Sequence, residues 1–212
     1  LAFLSKKRKL YLKTKEDYVE KTLNATNRIV KLVNELLDVS QLQLGKKSLD
    51  FQPIDIRNLI EDVLKDLLEE IRIKNLVVKI LPENKEDWPL IPANLEKLRI
   101  VFSNIIDNAV KYTPKGEIII QGQQVNDSFQ ISVKDTGIGI NPEEVETLFT
   151  QYFERGEQAQ KLHTTGRGIG LFIAASVIKA HHGKIWAESE GQGKGAKFII
   201  ELKINNETTE GK

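Results

Sequence analysis

The sequence predicts an α/β two-layer sandwich, with helices on one face of a mixed sheet and a helical segment ahead of it. Three observations carry this. Apolar residues recur at helical spacing in several separate stretches, and apolar/polar alternation marks strands between them. The two kinds of element also succeed one another without the regular βαβ alternation of a parallel sheet.

The first element is a long amphipathic helix from Lys15 to about Gln43. Tyr18, Thr22, Ala25, Ile29, Leu32, Leu36 and Val39 step by four and three, and Val33 and Leu37 widen the stripe. Such a seam belongs to a helical hairpin or coiled coil and requires a helical partner. Gly45 is suited to end this helix. Leu1–Leu12 reads as the tail of a partner helix, and Lys6-Lys7-Arg8-Lys9 as a solvated turn. Beyond Lys47 the pattern changes. Ser48–Gln52 reads as a short strand before Pro53, Ile54–Lys74 as a helix, Leu76–Leu81 as a strand, and Pro82–Pro92, with three prolines, as a loop. Asn94–Tyr112 is a helix that Pro114 and Gly116 terminate. Glu117–Val125 and Phe129–Lys134 form a hairpin around Asn126-Asp127. Asn141–Phe149 is a short helix, 151–166 is polar and irregular, and Gly168–His182 is helical. His181 and His182 end that helix, where a cation would meet the dipole favourably. Lys184–Glu190 and Ala196–Ile204 are strands joined by a glycine-rich turn, and a polar tail follows from Asn205.

Composition narrows the function classes. With 212 residues, 40 % apolar and 29 % charged, the chain holds one large domain or one domain plus an accessory element. Lys+Arg total 31 and Asp+Glu 30, so nucleic acid and anionic membranes are not attracted globally, and polyanion binding would need a local site. The absence of Cys excludes disulfides, Cys-ligated zinc and thiol catalysis. Three His, at 163, 181 and 182, exclude a multi-His metal site but leave room for an oxygen-coordinated cation. No apolar run approaches the ~20 residues of a membrane span, and no signal peptide is visible. Beginning at Leu1 and lacking Met, the sequence reads as an excerpt of a longer cytoplasmic or upstream-anchored protein.

Four constellations bear chemistry. Asn104, Asn108, Lys111 and Tyr112 share one face of their helix. They form either a solvated polar stripe or a ligand face: an Asn oxygen suits a hard divalent cation, Lys a phosphate, and Tyr a base. Asp135-Thr136-Gly137-Ile138-Gly139-Ile140 follows a strand and is either a tight turn or a close backbone approach to a ligand. Its ionised carboxylate would accept from the amine of adenine and leave the oxygen of guanine unpaired. Thr165-Gly166-Arg167-Gly168-Ile169-Gly170-Leu171 opens a helix whose free N–H groups suit a phosphate chain. Its spacing is not the dinucleotide fingerprint, and no P-loop is present. Gly191-Gln192-Gly193-Lys194-Gly195-Ala196-Lys197-Phe198 reads more as a turn than as a site.

Taken as an ordered set, these motifs resemble the sensor histidine kinases of two-component signalling, within the Bergerat or GHKL ATPases. Asn104-Ile-Ile-Asp-Asn108-Ala-Val-Lys111-Tyr112-Thr-Pro looks like their N box, and Asp135-Thr-Gly137-Ile-Gly139 like the first glycine box. Phe149-Thr-Gln-Tyr-Phe153-Glu-Arg155 is similar to the F box, Gly166-Arg-Gly168-Ile-Gly170-Leu171 to the second glycine box, and His182 through Phe198 to the last strands and third glycine turn. The helix from Tyr18 to Gly45, with Leu36-Leu37-Asp38-Val39-Ser40, looks like the second helix of the dimerisation and phosphotransfer domain.

The resemblance implies partial dimerisation and histidine phosphotransfer helices over 1–46, with the phosphoacceptor helix truncated, a catalytic ATP-binding domain over 47–204 and a flexible tail over 205–212. It implies transfer of the γ-phosphoryl of MgATP to a histidine, for relay to a response-regulator aspartate. Asn108, assisted by Asn104, would hold Mg²⁺; Lys111 would contact phosphate; Tyr112 would stack on adenine. Asp135 would bond the adenine amine, with Gly137, Gly139 and Ile140 shaping the pocket. Thr165, Gly166, Arg167, Gly168, Ile169, Gly170 and Leu171 would border the phosphates, 154–165 would form the ATP lid after Phe153, and Arg155 would sit near the phosphates. A homodimer through the helical bundle and a receiver domain are the implied partners. None of the three His fits the family's phosphoacceptor, so this segment alone is expected not to label itself. Arg167 and Ala196-Lys197 depart from the family's usual residues in the second and third glycine boxes. Two rivals compete. A hydrolysing ATPase would want a Glu where Asn104 stands, and a scaffold that only dimerises would not need intact Asn108, Asp135 and glycines.

Overall fold

The computed structural model describes residues 49–149 and 169–205, with a subset of the positions between Tyr18 and Gln41. The chain divides into two compact units, Leu1–Gln41 and Leu42–Lys212. In the first, every described position is helical, and Tyr18, Leu23, Val30, Val33 and Leu37 are each more than half exposed. The Thr22 and Thr26 hydroxyls donate to the carbonyls of Tyr18 and Thr22, one turn back. The expected helix end at Gly45, the basic run at 6–9, the irregular stretch 151–166 and the tail beyond 205 lie outside the described residues.

The second unit contains β1 (Gln52–Asp55), α1 (Ile56–Asp66), α2 (Leu68–Ile73), β2 (Val77–Leu81), β3 (Leu90–Ala93), α3 (Leu95–Tyr112), β4 (Glu117–Val125), β5 (Ser128–Asp135), α4 (Pro142–Val145), α5 (Gly170–Ala180), β6 (Lys184–Glu188) and β7 (Lys197–Lys203). Five strands form a mixed sheet in the order β2-β4-β5-β7-β6, in which only β2 and β4 run parallel. Helices α1, α3 and α5 cover one face. The expected two-layer sandwich is the observed architecture.

Helix α3 is the centre of the helical layer. It buries Lys97, Leu98, Val101, Phe102, Ile105, Ile106, Ala109 and Val110, pairs that return at helical period. Asn94 caps it, its side chain accepting from the Lys97 N–H at 3.1 Å. On the sheet, Phe129, Ile131, Val133 and Asp135 of β5 point inward while Ser128, Gln130, Ser132 and Lys134 alternate outward.

Several element boundaries differ from the sequence expectation. The strand expected over Ser48–Gln52 is β1, shifted forward through Pro53. It belongs to a separate two-stranded sheet with β3, where Pro53 faces Pro92. Neither proline has an N–H, so the pair occupies a ladder position that needs none. The expected loop 82–92 therefore contains a strand. Ile54 and Asp55 are strand, not helix; Asp55 caps α1 by accepting from the Asn58 N–H at 2.9 Å. The expected single helix to Lys74 breaks at Leu67 into α1 and α2. Strand β5 extends one residue further, to Asp135, because its N–H donates to the Ala196 carbonyl at 2.9 Å. Helix α4 ends at Val145, and turns continue to Phe149.

The link between β2 and β3 is clamped onto α1 and the sheet. Arg57 donates to Glu61 at 3.1 Å and to the Pro82 carbonyl, and its guanidinium lies 5.7 Å from the Trp88 ring centre. Trp88 in turn meets Phe129 edge-on at 5.3 Å over Gly122. A methyl at Gly122 would lie 2.7–2.8 Å from both buried rings.

His181 does not play the cationic role expected of it. It is 6 % exposed; its Nε2 accepts from the Asn94 N–H at 3.1 Å, and Nδ1 lies 2.8 Å from the Val177 carbonyl. Phe51 packs edge-on against the ring at 5.2 Å. Burial first, and then the charge of His182, holds its pKa below the usual imidazole value, with the Val177 carbonyl opposing. A neutral Nδ1–H imidazole thus ties the end of α5 to the start of α3.

Two outcomes follow. Gly122→Ala loses about 1–3 kcal/mol of stability by overpacking, seen as a lower urea midpoint; an unchanged midpoint would contradict the packing described. For His181, the unfolded chain takes up a proton at about pH 6.5 while the folded chain resists it, so its contribution is full above that pH and is lost below it. The wild-type midpoint therefore falls between about pH 8 and about pH 5.5 more steeply than that of His181→Gln; parallel pH profiles would contradict a buried neutral imidazole.

Candidate functional site

The polar stripe of α3 survives as a half-exposed face. Asn104, Asn108, Lys111 and Tyr112 are all intermediate in exposure, beside the fully buried pairs. The Lys111 ammonium lies 3.3 Å from a carboxylate oxygen of Asp107, one turn earlier. The structure brings this stripe against two of the other three constellations.

The first junction is at the end of α3. The Tyr112 carbonyl accepts from the Ile138 N–H at 3.1 Å. The loop 136–140 can approach so closely because residue 137 is glycine: a Cβ there would overlap the Tyr112 carbonyl oxygen. The same loop turns back on Asp135, whose Oδ1 accepts from the Gly137 N–H at 2.8 Å and from the Ala196 N–H at 3.3 Å. Asp135 is 4 % exposed. Burial raises its pKa, and the N–H groups of Gly137 and Ala196 oppose that rise. Its second oxygen accepts no hydrogen bond from a described residue.

The second junction is the glycine-rich turn between β6 and β7. The Gly193 N–H donates to the Ile138 carbonyl at 2.6 Å, and the Gly195 N–H to the Gly137 carbonyl at 3.2 Å. Gly195 has φ +72°, and a Cβ there would overlap the Asp135 carbonyl. Ser189 completes the seam: its hydroxyl donates to the Gly195 carbonyl at 2.7 Å and accepts from the Ile140 N–H at 3.0 Å. Sequence reasoning read this stretch more as a turn than as a site. Its alternating glycines were the available signal; Ala196 acts through its backbone N–H and carbonyl, and Ser189 through a lone hydroxyl outside any motif, so neither left one.

The third junction is at the start of α5. A Cβ on Gly170 would lie 2.6 Å from the Asn104 side-chain oxygen, so the helix start rests directly on the α3 stripe. The N-cap, Ile169, supplies no side-chain hydrogen bond, and the first turn has no acidic residue. The positive end of an 11-residue helix therefore faces the stripe uncompensated by its own side chains. Ile169 is buried and Leu171 half-buried. Phe153, Arg155, Thr165, Gly166, Arg167 and Gly168 lie outside the described residues.

The assembled site has a buried carboxylate at one end, two amides and an ammonium along its wall, and a helix N-terminus at the other end. Among the described residues, no cluster of three or more His, Cys, Asp or Glu could hold a metal. No helix among the described residues is long and apolar enough to cross a membrane.

The chain is 32 % identical over 201 residues to the sensor histidine kinase WalK of Bacillus subtilis (strain 168), a match covering 88 % of this chain and 30 % of WalK. The chain thus spans less than a third of that relative. Among solved structures, ShkA in complex with AMPPNP superposes with a TM-score of 0.69 at 27 % identity, covering 82 % of this chain and 35 % of that one. The histidine kinase ThkA in complex with the response regulator protein TrrA gives a TM-score of 0.65 at 25 % identity, covering 89 % of this chain and 51 % of that one. The model of the histidine kinase-, DNA gyrase B- and HSP90-like ATPases matches residues 93–206, the span from the end of β3 past β7 that contains every junction described above. More than half of the chain falls within that match, and the chain belongs to this ATPase family.

Proposed function

We propose that this chain is the catalytic region of a two-component sensor histidine kinase, which binds ATP and transfers its γ-phosphoryl group to a histidine. The observation that carries the nucleotide reading is Asp135: a buried carboxylate with one oxygen held by two backbone N–H groups and the other without a donor from any described residue. An exocyclic amine of adenine supplies the missing donor, whereas the carbonyl of guanine at that place would set acceptor against acceptor. Similarity to WalK, and to ShkA solved with AMPPNP, supports the kinase form of the family over the others.

In this reading Tyr112 lies against the base and Gly137, Gly139 and Ile140 shape its pocket. The phosphates run along α3 toward α5, where Lys111 and the N–H groups opening at Gly170 oppose their charge. Asp107 holds the Lys111 ammonium on this face, 3.3 Å away. Asn108, with Asn104 beside it, fits Mg²⁺: two neutral amide oxygens complement a hard cation that keeps phosphate and water ligands. Bound there, the ion would neutralise charge on the phosphates. The transfer forms a phosphorus–nitrogen bond at the histidine and releases ADP, so this domain's part is to position the phosphates and stabilise their charge. Residues 154–165 form the lid in this reading. Residues 1–46 belong to the dimerisation and phosphotransfer helices, 47–204 to the catalytic domain and 205–212 to a tail. A second copy is the partner of the helical segment, and a receiver domain takes the phosphoryl group, as the ThkA–TrrA complex suggests by analogy. We place this region in the cytoplasm.

Calorimetric titration with ATP and GTP, each with and without Mg²⁺, tests the reading. Wild type binds ATP selectively, and Asp135→Asn weakens it by about 10- to 100-fold, the value of a hydrogen bond to a charged group. Asn108→Ala removes the Mg²⁺-dependent part of the affinity and spares the rest. Equal affinity for GTP, or an Asp135→Asn chain that binds as wild type does, would contradict the proposal.

A further inference from the structure

Helix α3 ends in an unusual way for a helix that carries a site. The last four carbonyls of any helix lack intrahelical partners, and a C-terminal glycine commonly supplies N–H groups to them. Here the C-cap is Thr113, in extended conformation, and the next residue is Pro114, which has no N–H to give. The Tyr112 carbonyl is taken by Ile138. Those of Val110 and Lys111 are taken from outside the helix by one side chain, Lys74. Its ammonium donates to the Val110 carbonyl at 2.7 Å and to the Lys111 carbonyl at 3.0 Å, and lies 3.4 Å from Glu70. The side chain is only 18 % exposed.

Lys74 is itself held in place. Its N–H bonds back to Glu70, the Leu76 N–H reaches Ile71, and Asn75 between them turns the chain with φ +50°. One residue later the Val77 N–H donates to the Gly116 carbonyl, just beyond the end of α3. The ammonium therefore bridges two fixed points, and its charge faces the negative end of the α3 dipole. The turn it holds is the one bearing Asn108, Lys111 and Tyr112.

We propose that Lys74 is a positioning residue for the nucleotide site: it touches no nucleotide but fixes the last turn of α3, and through it Lys111 and Tyr112. The inference rests on the ATP reading above. The test measures ATP affinity with Mg²⁺ by calorimetry, well below the melting temperature, for wild type, Lys74→Met and Lys74→Arg of the full chain. Lys74→Met, which keeps the volume and removes the donors, weakens ATP about tenfold, and Lys74→Arg restores most of the loss. A lowered melting temperature with unchanged affinity would mean a structural role only and would overturn the proposal, as would a loss that Lys74→Arg does not recover. Should Lys74→Met fail to fold, Lys74→Gln, which retains a donor without the charge, is measured against Lys74→Arg with the same criteria. ATP binding by wild type matched by Lys74→Met sinks only the role of Lys74; no ATP binding by wild type sinks the nucleotide reading with it.

Discussion

The hydrogen bond from the Ile138 N–H to the Tyr112 carbonyl is the joint on which the site depends. It fastens the loop after β5 to the end of α3, and only glycine at 137 lets the two backbones come that close. Once made, it fixes two other things. The loop turns over Asp135 and gives it the Gly137 N–H. It also presents the Gly137 and Ile138 carbonyls to the turn at 191–195, which docks through Gly193 and Gly195. Three segments far apart in sequence thereby become one wall.

The energetic logic of that wall is a buried charge. β5 places Asp135 at a position where its alternation otherwise sets Phe129, Ile131 and Val133. Such a carboxylate is expensive to bury, as its raised pKa reflects, and two N–H groups offset part of the expense. Structural stability alone would be better served by an apolar residue there. An incompletely partnered buried carboxylate in an otherwise apolar layer is what the proposed recognition of adenine requires.

Much of this was legible in the sequence where one residue dictates its own surroundings. Asn94 and Pro114 bracket α3, and the α3 apolar pairs reveal its period. Asn126, at φ +54°, sits where the hairpin was expected to turn. What was not legible depends on partners distant in sequence. Strands β1 and β3 are short and proline-bearing, and each is stable only because the other pairs with it. His181 at a helix end suggests a cation by local rules, but Phe51 and the Asn94 N–H, from elements far away, make neutral imidazole the buried form. Lys74 shows in the sequence only as an i,i+4 pair with Glu70, because its other partners are backbone carbonyls distant in sequence. The stripe of α3 and the first glycine loop were each read as a candidate ligand face, and the hydrogen bond from the Ile138 N–H to the Tyr112 carbonyl joins them. The turn at 191–195 was undervalued because its contribution is made with backbone groups that any sequence possesses.

Native-state hydrogen exchange with and without MgATP tests most directly whether the end of α3, the loop 136–140 and the turn 191–195 act as one nucleotide-holding wall. The account predicts that the amides of Ile138, Gly193 and Gly195 gain protection together when nucleotide binds, since each donates across a joint of that wall. Nucleotide binding that leaves the Ile138 amide unchanged, or three amides that open independently of one another, would contradict it.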